Sequence, residues 1–113
     1  MLIVKEPISI KELDEMASHR YGDMVKAVAD VDREIIAIDS DLHSDLETLL
    51  LEDGSVQEAL WGYNIYPELD EEDFIEFDSL INIRPRQNNF SRDVEDSQIQ
   101  SKIFAITNKF IKR

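Results

Sequence analysis

The densest group of reactive and hydrogen-bonding side chains in the sequence is Arg84-Pro85-Arg86-Gln87-Asn88-Asn89-Phe90-Ser91-Arg92. Three guanidinium groups and four amide or hydroxyl side chains lie within nine residues. Together they would grip a carboxylate or phosphate through forked, charge-assisted hydrogen bonds. A site of this kind would use Arg84, Arg86, Asn89 and Arg92, with Asn64 and Asn82 projecting onto the same face from adjacent strands. The same residues have a plainer use: arginines satisfy a domain's own carboxylates, and Asn and Ser tie a loop to its backbone.

A second group is His43-x-Asp45-x-Glu47, preceded by Asp39 and Asp41. On a strand, alternation would put His43, Asp45 and Glu47 on one face around a shared divalent ion; on a helix only His43 and Glu47 share a face. Hard oxygen ligands with one imidazole suit magnesium, manganese or iron better than structural zinc. The plain alternative is a solvated acidic segment with a surface histidine. His43 beside Glu76 or Asp78 would also make an acid–base pair, although spacing alone does not fix the required geometry. The chain has no glycine-rich phosphate loop, G-x-S-x-G elbow or H-E-x-x-H motif. It has no cysteine, which excludes disulfides, thiolate metal sites and a cysteine nucleophile.

The charge layout frames both groups. Residues 1–33 hold five Lys/Arg and seven Asp/Glu, a net −2. Residues 34–83 hold fifteen Asp/Glu and no Lys or Arg, and residues 84–113 hold seven Lys/Arg and three Asp/Glu, a net +4. Arg84 is therefore the first basic residue after fifty without one. So acidic a middle third must be solvated, bind cations, or face the basic C-terminal third or another chain. It cannot present the positive surface that a phosphate backbone needs, which argues against nucleic acid. No apolar run is long enough to span a membrane, and the N-terminus does not read as a signal peptide. The chain thus reads as a soluble, cytoplasmic protein, with 1–113 as one domain.

The elements that must position these groups follow from periodicity. Ser9-Ile10-Lys11-Glu12 reads as a capping box. Ile10, Leu13, Met16 and Ala17 then predict a helix over 10–20, stopped near Gly22. From Met24 the period becomes two, and the runs 25–31 and 34–39 predict an antiparallel hairpin. Residues 42–53 fit a helix, with Ser44 and Glu47 as a capping box. They also fit a strand turned by Asp53-Gly54, and leucine and glutamate tip the balance to helix. Residues 59–66 and 74–84 predict two strands around an acidic loop. Pro85 ends the second. Ser97 with Gln100 reads as a helix start, and Ile99, Ile103, Ile106 and Phe110 carry that helix to the C-terminus. The fold expected is α+β: a mostly antiparallel sheet of four to five strands built from hairpins, one face covered by the N- and C-terminal helices.

Several blocks, taken together, are fairly specific. They are Leu42-His43-Ser44-Asp45, the run from Leu49 to Ser55, Leu60-Trp61-Gly62-Tyr63-Asn64-Ile65-Tyr66-Pro67, and Ile75 to Pro85 followed by Gln87, Asn89, Ser91 and Arg92. In these the chain resembles a family of short uncharacterised prokaryotic proteins, a domain of unknown function. The family pattern has alanine where Ser44 stands and glycine where Asn88 and Asp93 stand. The resemblance implies no activity, but it implies that the polar positions from His43 to Arg92 belong to one unit.

Two functional classes remain. One is a binding or regulatory module acting through protein–protein contact, its acidic middle third meeting a basic protein partner or a second copy in a homo-oligomer. The other is a small enzyme or anionic-ligand-binding protein with its site at the 84–92 loop, metal-assisted through His43, Asp45 and Glu47.

Overall fold

A computed structural model describes residues 1–113. Its centre is an antiparallel sheet of five strands: β1 (Leu2–Val4), β3 (Val25–Asp30), β4 (Ile35–Ile38), β5 (Leu60–Ile65) and β6 (Ile75–Glu76). Their spatial order is β1-β4-β3-β5-β6. Two short strands, β2 (Ile8–Ser9) and β7 (Ile111–Lys112), pair in parallel and bring the ends of the chain together. Three helices complete the layout: α1 (Ile10–His19), α2 (His43–Glu52) and α3 (Ser97–Phe110). The fold is the α+β architecture expected, and no helix is long and apolar enough to cross a membrane.

Alternation along the strands divides the core. Val4, Val25, Ala27, Ala29, Ile36, Ile38, Trp61, Tyr63 and Ile65 face α1 and α3, and pack with Leu13, Ala17, Ile103, Ile106 and Phe110. Val28, Ile35, Ala37 and Leu60 face the other way, against Leu46 and Leu50 of α2. Helices were expected on one face; α2 instead covers the second, so the sheet is buried on both sides. The apolar content of the strands is the cause. Val28, Ile35, Ala37 and Leu60 make an apolar patch on this face, beside the polar Lys26 and Asn64, that must be covered from water.

The helix starts differ in instructive ways. Ser9 caps α1, its Oγ accepting from the Glu12 amide at 3.1 Å. Asp96, one residue before the expected start, caps α3 by accepting from the Gln98 amide. The capping box expected at Ser44 and Glu47 does not form. The helix begins at His43 behind Leu42, and no side chain caps it. At the other end Gly54, at φ +107°, terminates α2, so Asp53-Gly54 is a helix stop rather than a hairpin turn.

The hairpin of β3 and β4 turns on Asp30. Its buried carboxylate accepts from the amides of Asp32 and Arg33 and from Ser55 Oγ, which supplies what the weak Asp-Arg turn pair lacks.

The largest departure from expectation is the second strand of the other hairpin. Only Ile75–Glu76 is strand; residues 80–82 and 85–87 form single 3₁₀ turns. The position beside Gly62 that a longer β6 would fill is taken by the Asn82 side chain. Its Oδ1 accepts from Gly62 N at 2.8 Å, and its Nδ2 donates to Gly62 O at 2.9 Å, copying a strand's backbone pair. A Cβ at position 62 would stand 2.6 Å from Ser79 Oγ and 2.7 Å from Ser79 Cβ, so the close approach of this segment requires glycine there.

Candidate functional site

The segment 77–92 lies along the open side of β5 and, with α2, encloses a cavity of about 240 Å³. Lys26 of β3, Leu42, His43 and Ser44 at the start of α2, and Ser79, Leu80, Ile81 and Arg92 line it. No carboxylate does. Each of the four other sizeable clefts is lined by at least one Asp or Glu, as expected of a chain with 25 acidic residues. Because α2 carries no side-chain cap, its first amides and the positive end of its dipole add to this basic lining.

His43 is the fixed point. It is 7% exposed, and its Nε2 lies 2.8 Å from the Tyr63 carbonyl oxygen. A carbonyl only accepts, so Nε2 carries the proton and Nδ1 keeps its lone pair. Burial pulls the imidazole pKa down to about 4, and Lys26 adds to the depression; the Tyr63 carbonyl, Asn64 and Asp78 oppose it. The ring is neutral at pH 7. The unfolded chain binds the proton near pH 6.5 and the native state only near 4, so stability falls as pH drops through that window. The loss from this group reaches about 3 kcal/mol at pH 4. Urea titrations at pH 7 and pH 4 will show it as a steeper loss in the native sequence than in His43→Gln, whose amide can still donate to Tyr63. Parallel losses in the two proteins would exclude His43 as the cause.

Asn64 stands on the same sheet face, cross-strand from Lys26 and beside the His43 ring. It is 3% exposed. Its Nδ2 donates to Glu76 Oε1, and its Oδ1 has no hydrogen-bond partner. Arg92 reaches the cavity from the far wall. Its Nε pairs with Asp78, and its two terminal nitrogens have no protein acceptor.

A family model described as a protein of unknown function, DUF5674, matches residues 2–110. The chain belongs to this family. The match agrees with the resemblance read from the sequence blocks at that level. No curated protein and no solved structure matches the chain.

The residues singled out by sequence have separate fates in this family member. Only His43 and Arg92 line the cavity. Arg84 turns inward and donates to the carbonyls of Ile81, Gln57 and Leu60, to Gln87 Oε1, and to Glu47 Oε2 at 3.3 Å. Its guanidinium also lies 4.9 Å from the Trp61 ring centroid. Burial lowers its pKa, while Glu47 and Glu58 raise it. Asn82 and Asn89 are buried, and every polar atom of both side chains is bonded to backbone. Arg86 is exposed and makes no ion pair. The expected metal trio does not converge: His43 is bound to Tyr63, Glu47 to Arg84, and Asp45 is exposed on the first turn of α2. No group of three His, Asp or Glu side chains is placed to hold a metal ion.

Lys26, Ser44 and Ser79 were missed. Lys26 did leave a signal, as the one cation in the apolar run Val25–Ala29. Ser44 and Ser79 left none.

The acidic middle third is met from both flanks. Asp39 and Asp41 pair with Arg20, Asp53 with Lys5 and Arg33, Glu47 with Arg84, Asp70 with Arg113, and Asp78 with Arg92.

Proposed function

We propose that the chain is a binding module for a small anion, held in the cavity at the start of α2. The observation that carries this reading is the lining itself. Lys26, His43, Ser44, Ser79 and Arg92 surround about 240 Å³ without a carboxylate, in a chain of net charge −13. In such a protein the general field repels anions. A lining without an acidic side chain, which adds a lysine, an uncapped helix start and an Arg92 whose Nε is taken by Asp78 while its terminal nitrogens stay free, opposes that field locally. The apolar rim of Leu42, Leu80 and Ile81 lowers the local dielectric, which strengthens those interactions. The alternative, a module that meets a basic partner through its acidic third, is weaker. The chain's own Arg and Lys residues already meet six of those carboxylates.

Thermal denaturation tests the reading. Acetate, phosphate and sulfate, each titrated at constant ionic strength against chloride, are expected to raise the melting temperature saturably. At a hundred times Kd the stabilisation amounts to about 2.7 kcal/mol. Sulfate and phosphate also stabilise proteins by exclusion from their surfaces, so the deciding comparison is with Lys26→Met/Arg92→Gln. The double variant should lose the saturable component and keep the linear one. Equal responses in the two proteins would defeat the proposal.

A further inference from the structure

The lining of the cavity inverts the usual order of a protein surface. Its two buried members, His43 and Ser79, are polar, while Leu42 and Leu80 are 55% and 67% exposed. Single exposed leucines are ordinary. These two come from separate elements, Leu42 just before α2 and Leu80 in the 3₁₀ turn 80–82, and line one opening together with the half-buried Ile81. The same opening holds Lys26 and Arg92. Leu42 is the more telling of the pair. It occupies the N-cap position of α2, where hydroxyl, carboxylate and amide side chains are favoured because they bond the first amides. Leucine makes no such bond and gives its apolar side chain to water. Local rules broken in this way concentrate at functional sites. An inorganic ion would have nothing to place against these side chains, whereas a ligand with a charged end and an apolar end would engage both halves of the lining.

From this we infer that the ligand of the cavity is an anion joined to a short apolar body: a carboxylic acid or phosphate monoester with a carbon chain of a few atoms, in preference to an inorganic ion. The inference rests on the anion-binding reading and names the class of ligand for that site. The anionic end meets Lys26 and the free terminal nitrogens of Arg92. The carbon chain lies against Leu42, Leu80 and Ile81 and takes their apolar surface out of water. The cavity holds about 240 Å³, less than the roughly 300–1,000 Å³ of sites for drug-sized ligands, so the apolar body is short.

Two homologous series test this on the unaltered chain at pH 7 and constant ionic strength: acetate, butanoate and hexanoate, and methyl, butyl and hexyl phosphate. Affinities are measured by calorimetry, with hexanol as the uncharged control. A fully buried methylene strengthens binding about fourfold, so a rise of roughly tenfold or more is expected from the first to the last member of one or both series. Hexanol should not bind. A rise among the carboxylates alone identifies a carboxylic acid, and among the phosphates alone a phosphate monoester. In Leu42→Ala/Leu80→Ala the ratio of last member to first should fall below about threefold. Both side chains are exposed, so the double variant should fold. Flat series, a rise kept in full by the double variant, or binding of inorganic phosphate alone would overturn the inference and leave anion binding standing. Hexanol binding as tightly as hexanoate, or failure of every anion to bind, would overturn both.

Discussion

Replacing Arg84 with methionine is expected to destabilise the fold by about 3–5 kcal/mol, the range seen when one partner of a buried ion pair is removed. The Arg84 side chain is 10% exposed and that of Glu47 14%, so little solvent remains to screen either charge. Methionine would preserve much of the packing on Trp61 but leave the Glu47 carboxylate facing no cation. It would also leave the carbonyls of Gln57, Leu60 and Ile81 without this donor. Lysine keeps the charge but not the fork. One ammonium cannot reach acceptors spread over five residues, so Arg84→Lys should recover less than half of the loss. Removing both charges tells packing from charge: Arg84→Met/Glu47→Leu should be more stable than Arg84→Met alone. Denaturant midpoints at pH 7 provide the measurement. A loss under about 1 kcal/mol for Arg84→Met would mean that the pair behaves as a solvent-screened surface bridge and not as a clamp. For a domain whose whole stability is of the order of 5–15 kcal/mol, the expected loss endangers folding.

The second large effect is expected at Asn82, where a single amide nitrogen is exchanged for oxygen. Asn82→Asp keeps the acceptor for Gly62 N and removes the two donations from Nδ2, to Gly62 O at 2.9 Å and Arg92 O at 3.0 Å. It also aims a carboxylate oxygen at two carbonyl oxygens in a fully buried position. About 3 kcal/mol or more should be lost at pH 7, since each buried group left unsatisfied costs about 1–3 kcal/mol. Relative to the native sequence the deficit should shrink on acidification, as the introduced carboxyl protonates and regains one donor. A pH-independent deficit would show that the introduced carboxylate lies in water, and so that the side chain at position 82 does not stand in for a strand. Losing this amide also frees the segment 79–92, and with it the cavity wall that carries Ser79 and Arg92.

The helices were legible because their pattern is local. Leu13 and Ala17 in α1, and Ile103, Ile106 and Phe110 in α3, are the buried stripe that the 3.6-residue period marks out. The β3–β4 hairpin was legible for the same reason, since alternation places Val25, Ala27 and Ala29 on one face whatever packs there. Residues 77–84 show the limit of this logic. Their apolar and polar residues alternate as in a strand, yet the chain leaves the sheet after Glu76. Alternation says which side chains could share a face. It does not say that the Asn82 side chain, rather than a longer β6, will bond the backbone of Gly62 twenty residues earlier.

The candidate site was legible in part. A polar concentration from His43 to Arg92 was visible, and His43 and Arg92 do face one cavity. Arg84, Asn82 and Asn89, three of the residues the sequence marked out, are those the fold uses for itself. Buried backbone groups of an irregular segment need partners, and forked or two-ended side chains supply them best.

By itself the sequence determined the N- and C-terminal helices, the hairpin of β3 and β4, the antiparallel class of the sheet and the acidic middle third, because each depends on neighbours a few residues away, whereas residues 42–53 fitted helix and strand alike until the fold placed them as α2. Tertiary structure alone decided that α2 would cover the second sheet face, that 77–84 would be a braced loop, and that Arg84 would be a clamp. It also decided that Lys26, His43, Ser44, Ser79 and Arg92 would meet around a space without carboxylates. The physical reason is the same in each case. These outcomes turn on which groups from distant parts of the chain find one another once buried, and a pattern of near neighbours carries no record of that.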